Sequence, residues 1–144
     1  ETPMPLADAI AASASALDAQ RARIEVAVSN IANAESTRGP DGQPYRRRDV
    51  VLRSEPIEPF SGALGRAEAI GVTVNDIVED QTAFRRRYEP SHPDADTEGF
   101  VAMPNVDVPE EMVDMLGATR AYQANLTAIN LIRDTIQRAL ELGR

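Results

Sequence analysis

Residues 105–142, NVDVPEEMVDMLGATRAYQANLTAINLIRDTIQRALEL, have the longest helical pattern in the chain. Apolar or aromatic residues recur there at intervals of seven, at Met115, Tyr122, Ile129 and Ile136. This spacing is typical of one face of a long helix. Asp107 is a suitable N-cap, and Glu110 follows three residues later as its capping-box partner. We predict a helix over Val108–Leu142, roughly 52 Å long at 1.5 Å per residue.

A second pattern with the same period occupies the other end of the chain. Its apolar residues are Ile10, Leu17, Ile24 and Ile31. They predict a helix over residues 6–33, roughly 42 Å long. Sustained length and a spacing of seven indicate coiled-coil packing rather than a globular core. We therefore predict that the two terminal helices pair as an antiparallel coiled-coil hairpin.

The middle of the chain lacks the helical period and has patterns of turns and short strands. Pro40-Asp41-Gly42 predicts a turn, followed by an extended run over residues 45–53. Residues 69–80 and 82–90 resemble two more short strands, and residues 89–105 resemble a loop rich in proline and carboxylates. About three short strands are too few for a large independent domain, so we expect a small β-rich insert carried on the helices.

These patterns define a fold class and two domains. The fold class is mainly α with a small β-rich insert. Residues 1–34 and 106–144 form the predicted terminal-helix domain, and residues 35–105 form the insert of loops and short strands.

The composition restricts the partners and the chemistry. The net charge is −8, which argues against nucleic acid or anionic lipid as a main partner. Cysteine is absent, so thiol chemistry and disulfides are excluded. No apolar run approaches the ~20 residues of a membrane span. The first residues lack the basic and apolar regions of a Sec signal, so we expect none there.

No constellation of catalytic or metal-binding residues emerges from the sequence. His92 is the only histidine, so a Ser-His-Asp or Cys-His arrangement lacks a partner. Residues 94–99 resemble the front of an EF-hand loop, but its twelfth position is Asn105 instead of glutamate. Met112 and Met115 are spaced for seam packing. We predict no enzyme activity, no cofactor and no required metal.

Two arginine triplets, residues 46–48 and 85–87, leave two interpretations open. In the first, the arginines lie on solvated strand faces or form salt bridges to acidic neighbours. In the second, the chain is a soluble binding module whose β-rich insert holds a ligand. The arginines of that alternative are Arg46, Arg48, Arg85 and Arg87.

Two short motifs in the terminal helices resemble the flagellar rod, hook and hook-associated protein family. That family has an Asn-Leu-Ala-Asn signature closing its first helix and a Tyr-Gln-Ala-Asn signature within its last. Here they stand as Asn30-Ile31-Ala32-Asn33 and Tyr122-Gln123-Ala124-Asn125. Residues 39–51 and 88–108, together with the short length, are similar to the members that build the proximal rod. The resemblance covers nearly the whole chain, and residues 53–71 match least.

The resemblance implies a structural role in the basal body of the bacterial flagellum. Such proteins are exported by the flagellar type III apparatus without a cleaved signal peptide. They polymerise with other rod proteins and with copies of themselves into a hollow drive shaft that crosses the periplasm and transmits torque. Components at the junction of the MS ring and the export gate are further implied partners.

We expect the assembly interface to include the heptad residues and the motif asparagines. These residues are Ile10, Leu17, Ile24, Asn30, Ile31, Asn33, Met115, Tyr122, Asn125, Leu126, Ile129 and Ile136. Amide side chains both donate and accept hydrogen bonds. The asparagines can therefore bond backbone groups at a helix end or across the seam, and so set the register of the helices. For Asn33, an exposed position at a fraying helix end is the alternative.

Overall fold

A computed structural model of the chain describes residues 6–57 and 69–142. Its elements in chain order are α1 (Leu6–Ala32), β1 (Arg48–Ile57), β2 (Ala69–Glu79), β3 (Arg85–Tyr88), β4 (Phe100–Met103) and α2 (Val108–Leu142). The helices contain 27 and 35 residues. The predicted fold class, mainly α with a small β-rich insert, is confirmed. Among the described helices, none is long and apolar enough to cross a membrane.

Both helices end close to the predicted residues. The Asp107 carboxylate accepts a hydrogen bond from the Glu110 amide at 3.4 Å, so Asp107 caps α2 as predicted. Helix α1 ends at Ala32, one residue earlier than predicted. There the Ala34 amide donates to the Ile31 carbonyl at 3.2 Å, a bond across three residues that tightens the last turn. Gly143, which the sequence places just after the predicted helix as its stop, lies outside the described residues.

Strands β1 and β2 form a two-stranded sheet. The Asp80 amide donates to the Arg47 carbonyl at 2.8 Å, and Ile57 lies beside Gly71, so the strands run antiparallel. They contain 10 and 11 residues, and β2 occupies residues 69–79 of the predicted 69–80. The predicted extended run began at residue 45, whereas β1 begins at Arg48 and continues to Ile57.

Strand β4 lies within the stretch predicted to be a loop, so that prediction is wrong for residues 100–103. It pairs antiparallel with β3, with Arg87 opposite Val101 and Tyr88 opposite Phe100. The pairing buries Val101 and Met103 on one side of β4. Four residues flanked by polar loop residues carry too little periodicity to predict a strand; the contact with β3 makes it one.

The chain divides into two compact units, and each contains both helical and strand residues. The described part of the first unit consists of residues 6–22, 51–57, 69–76 and 117–142. The second unit consists of Arg23–Val50 and Ile77–Leu116. The grouping of both terminal helices into one domain stays a proposal, as does their pairing along their whole length.

In the first unit, a close contact joins α1 to β2. The Ser15 hydroxyl accepts a hydrogen bond from the Val72 amide at 3.0 Å and donates to the Ala12 carbonyl at 2.8 Å. A Cβ atom on Gly71 would lie 2.9 Å from the Ser15 Oγ and 3.1 Å from the Ile57 Cγ1. Glycine at position 71 therefore permits the approach of the helix to the strand.

Candidate functional site

The second unit contains a buried polar network at the point where α1 ends and α2 begins. At its centre is Asn30, whose side chain is 0% exposed in the last turn of α1. The Asn30 Nδ2 donates to the Arg48 carbonyl at 2.8 Å and to the Glu111 Oε2 at 2.9 Å. The Asn30 Oδ1 accepts from the Arg48 amide and from the Tyr45 hydroxyl, both at 2.9 Å. One amide thus ties α1 to the start of β1 and to the first turn of α2.

The Glu111 carboxylate is the second buried polar group, at 2% exposure. Its Oε1 accepts a hydrogen bond from the Arg47 Nε at 2.5 Å, while its Oε2 is held by Asn30. Burial alone would lower the pKa of Arg47, but the hydrogen bond to Glu111 and the nearby carboxylates outweigh it and raise that pKa. Two further carboxylate oxygens, on Asp49 and Asp114, each lie 3.6 Å from the guanidinium.

Asn105 extends the network to the end of β2. Its Oδ1 accepts from the Arg47 amide at 2.8 Å. Its Nδ2 donates to the Asp80 carbonyl and to the Thr82 hydroxyl, both at 3.0 Å. The term junction network is used below for Asn30, Tyr45, Arg47, Asn105 and Glu111. Their hydrogen bonds fix how the chain leaves α1, enters β1 and enters α2.

The space beside the junction network is small. A cavity of about 20 Å³ is lined by Ala27, Val50, Arg47, Glu111 and Asp114, among others. This volume holds a single water molecule, which needs roughly 10–15 Å³ measured in this way. The arrangement therefore suits a fixed structural joint, since the cavity beside its charges has no room for an organic substrate.

The other two motif asparagines bond within or next to their own helices. Asn33 donates to the Ser29 carbonyl at 2.8 Å and accepts from the Ser36 hydroxyl at 3.2 Å, so it closes the end of α1. Asn125 donates to the Ala121 carbonyl, four residues earlier in α2, at 2.9 Å. The structure thus brings Asn30 to the junction but leaves Asn125 in a local bond.

Most of the residues expected at the assembly interface are only partly covered within this chain. Asn30 is buried and Leu126 is exposed. The half-buried residues are Ile10, Leu17, Ile24, Ile31, Asn33, Met115, Tyr122, Asn125, Ile129 and Ile136. Assignment of these residues to contacts between subunits stays a proposal.

The arginines of the alternative binding module already have partners within the second unit. Arg46 lies 4.3 Å above the Phe84 ring, and Arg48 lies 3.8 Å from the Glu79 carboxylate. Arg85 donates to the Val106 carbonyl, and Arg87 lies 3.0 Å from a carboxylate oxygen of Glu35. A cleft of about 540 Å³ is lined in part by Arg46 and Arg48, but their guanidinium groups are engaged at its wall. These contacts, two ion pairs, one ring contact and one bond to a carbonyl, favour the interpretation that the arginines serve internal contacts.

The loop that resembles an EF-hand uses its carboxylates for internal bonds. Asp94 accepts from the Thr37 hydroxyl at 2.8 Å, and Asp96 accepts from the Phe100 and Glu98 amides, both at 2.9 Å. The bond from the Phe100 amide, with further help from Glu98 and Arg86, lowers the pKa of Asp96. The His92 Nδ1 accepts from the Asp94 amide at 3.1 Å. These groups shape the loop that leads into β4.

Sequence reasoning identified Asn30 but missed its partners. Glu111 is not singled out by the sequence, because the neighbouring Glu110 fits the capping box. A signal was present, since Glu111 lies four residues before Met115 and so continues the inner heptad stripe of α2. Arg47 and Asn105 carry no local signal, because their roles depend on contacts 58 and 64 residues apart.

Two family models match the two ends of this chain. Residues 10–40 match the family described as Flagella basal body rod protein. Residues 97–142 match the family described as Flagellar basal body rod FlgEFG protein C-terminal. The two matches contain the end of α1 and the whole of α2, including Asn30 and Glu111.

Curated relatives match almost the whole chain. The flagellar basal-body rod protein FlgC of Escherichia coli O6:H1 is 46% identical over 130 residues, covering 90% of this chain and 92% of the relative. FlgC of Bacillus subtilis (strain 168) is 46% identical over 142 residues, covering 92% and 94%. FlgC of Borreliella burgdorferi is 38% identical over 149 residues, covering 96% and 98%. With this similarity along nearly its full length, the chain belongs to the FlgC family of flagellar basal-body rod proteins.

Proposed function

We propose that this structural subunit of the proximal rod polymerises with other rod proteins and with copies of itself. The product is the hollow drive shaft that carries torque from the motor through the periplasm. In this role the chain acts through contacts and performs no catalysis. The supporting observation is the set of large apolar side chains that α2 leaves exposed.

Helix α2 exposes large apolar side chains along its length. They are Met112, Val113, Leu116, Leu126, Leu131, Leu140 and Leu142. Leu131 is 67% exposed and Leu140 is 68% exposed. Covering such a side chain contributes roughly 1.5–3 kcal/mol. A contact between different surfaces of successive copies builds an open helical assembly where the rotation between copies does not close a ring. We therefore expect neighbouring subunits of the rod to bury these side chains.

The proposal includes the route to the assembly site. The subunit passes through the flagellar type III export apparatus without a cleaved signal peptide and joins the rod near the MS ring and the export gate. The absence of cysteine suits passage into an oxidising compartment, since no thiol needs protection there. Neither nucleic acid nor lipid is a direct partner in this scheme.

The test is complementation of a strain that lacks the gene for this chain. The wild-type chain should restore motility and rods in purified basal bodies. A Leu131→Asp chain should be exported at the wild-type level but should build no rods, because a carboxylate at a covered apolar site is desolvated without a partner. Rods at wild-type frequency with Leu131→Asp would contradict the proposed contact, and motility in the deletion strain without any added chain would contradict the function.

A further inference from the structure

The residues on the inner face of α2 are spaced so regularly that their spacing alone does not define the register of the helix. Its buried or half-buried residues are Glu111, Met115, Ala118, Tyr122, Asn125, Ile129, Ile132 and Ile136. The spacing alternates between four and three residues, as in the seam of a coiled coil. A shift of the helix by seven residues keeps the spacing of this stripe, so the period alone does not select between the two registers.

Glu111 breaks that equivalence, because it is the one carboxylate in the stripe. Both of its oxygens are used in the second unit, Oε1 by the Arg47 Nε and Oε2 by the Asn30 Nδ2. A seven-residue shift would bring Ala118 to this place, and a shift of one turn would bring Met115. Neither side chain offers a charged acceptor to the Arg47 guanidinium.

The ion pair of Glu111 and Arg47 is expected to contribute little to the free energy of unfolding. Taking a carboxylate and a guanidinium out of water costs about as much as their attraction returns, and apolar side chains of similar size are often as stable or more stable. Val26, Ala27 and Val50 already line the adjoining cavity, so an apolar pair would have suitable neighbours. We propose that Glu111 and Arg47 are register-determining residues, which select one position of α2 against the end of α1 at no gain in stability.

The test measures the register directly in the isolated full chain. The chain has no cysteine, so spin labels on Val28→Cys and Met112→Cys report only these two sites. Both residues are about half-exposed and belong to the second unit. In the otherwise native chain, pulsed electron resonance should give one narrow distance. In the Arg47→Met, Glu111→Leu chain a second distance should appear, displaced by up to about 10 Å, the rise of seven helical residues.

Two matched variants separate register from stability. Glu111→Leu alone removes the hydrogen-bonded partner of the largely covered Arg47 guanidinium, leaves it the carboxylates of Asp49 and Asp114 at 3.6 Å, and should lower the folding equilibrium constant by about tenfold or more. The double variant Arg47→Met, Glu111→Leu should restore the folding equilibrium constant to the native value or above it, while the second distance persists. Arg47→Lys, which keeps a cation for Glu111, should keep the single distance.

The proposal has three ways to fail, and none depends on rod assembly. One is a single native distance in the apolar pair. Another is an apolar pair whose folding constant stays as low as that of Glu111→Leu, which would make the ion pair an ordinary stabilising contact. The third is a broad distance distribution in the otherwise native chain.

Discussion

Asn30 and Asn125 are the same type of side chain in two long helices, yet they have different surroundings. Asn30 is fully buried and joins three segments through four hydrogen bonds. Asn125 is half-buried and donates to a carbonyl of its own helix. The first therefore acts on tertiary structure, whereas the second acts on one turn of α2.

We expect Asn30→Ala to destabilise the isolated chain by about 1–3 kcal/mol, because it removes the buried hydrogen bonds of Asn30 to Glu111, to Tyr45 and to the Arg48 backbone. Asn125→Ala is the matched control. It should change stability by less than about 0.5 kcal/mol, since alanine is the better helix former. Urea unfolding followed by circular dichroism measures both, and equal losses would contradict the difference in role.

Asp96 gives a prediction about pH at the same scale. Its pKa is lowered from 3.8 in the folded chain, chiefly by the Phe100 amide. The contribution of these bonds is therefore complete above the unfolded value and is lost as the pH falls through the folded pKa. The amide resonances of Glu98 and Phe100 should stay constant from pH 7 to about 5 and then titrate with a midpoint below 3.8. A midpoint at or above that value, or the same titration in Asp96→Asn, would refute the assignment.

The sequence showed that Asn30 is special but not what it touches. A local motif and a helix end identify an amide that needs partners, because asparagine is otherwise unfavourable there. Its partners Arg48 and Glu111 lie 18 and 81 residues further along the chain, and no local pattern encodes contacts over such separations. Glu111 is an exception among these partners, because its position four residues before Met115 places it on the inner face of α2.

At the scale of elements, α2 is strongly encoded and the strands are weakly encoded. The cap at Asp107 and the regular period specify Val108–Leu142 without any tertiary information. By contrast, β4 exists because β3 lies beside it, and β1 extends past its apolar run because β2 continues opposite to it. Strand ends of this kind follow from pairing rather than from propensity.

The contact of α1 with β2 predicts the effect of Gly71→Ala. The added methyl would meet the Ser15 Oγ at 2.9 Å and the Ile57 side chain at 3.1 Å, so helix or strand must move. We expect a loss of about 1–3 kcal/mol in the free energy of unfolding. Gly117→Ala in α2 is the control, since a Cβ there meets nothing within 4 Å. It should stabilise the chain by up to about 1 kcal/mol through helix propensity. A neutral Gly71→Ala would show that the contact is loose.

At the scale of the whole molecule, α2 exposes large apolar side chains, which is typical of a surface that binds another protein. Leu131 is 67% exposed on the side of α2 away from the half-buried stripe, and Leu126, which is 44% exposed, lies at the edge of that stripe beside Tyr122 and Ile129. We propose that neighbouring subunits cover this surface, whereas the junction network holds the end of α1 against the start of α2 within the second unit.

Leu126→Asp should separate assembly from folding. Because Leu126 is exposed in the single chain, its replacement should change monomer stability by less than about 0.5 kcal/mol. Rods and motility should nevertheless be lost, since the new carboxylate would be buried against a neighbour. Thr127→Asp, one residue further along and exposed, is the control and should support rods. If both variants build normal rods, Leu126 does not lie at an interface.

The most direct test of the central claim is an electron cryomicroscopy reconstruction of basal bodies from cells that express this chain. The account predicts that the chain can be traced in the wall of the proximal rod, with Leu126 and Leu131 covered by adjacent subunits. Asn30 should remain bonded to Glu111 in each copy. A rod wall built entirely from other chains, or copies of this chain whose exposed α2 residues face only solvent, would contradict it.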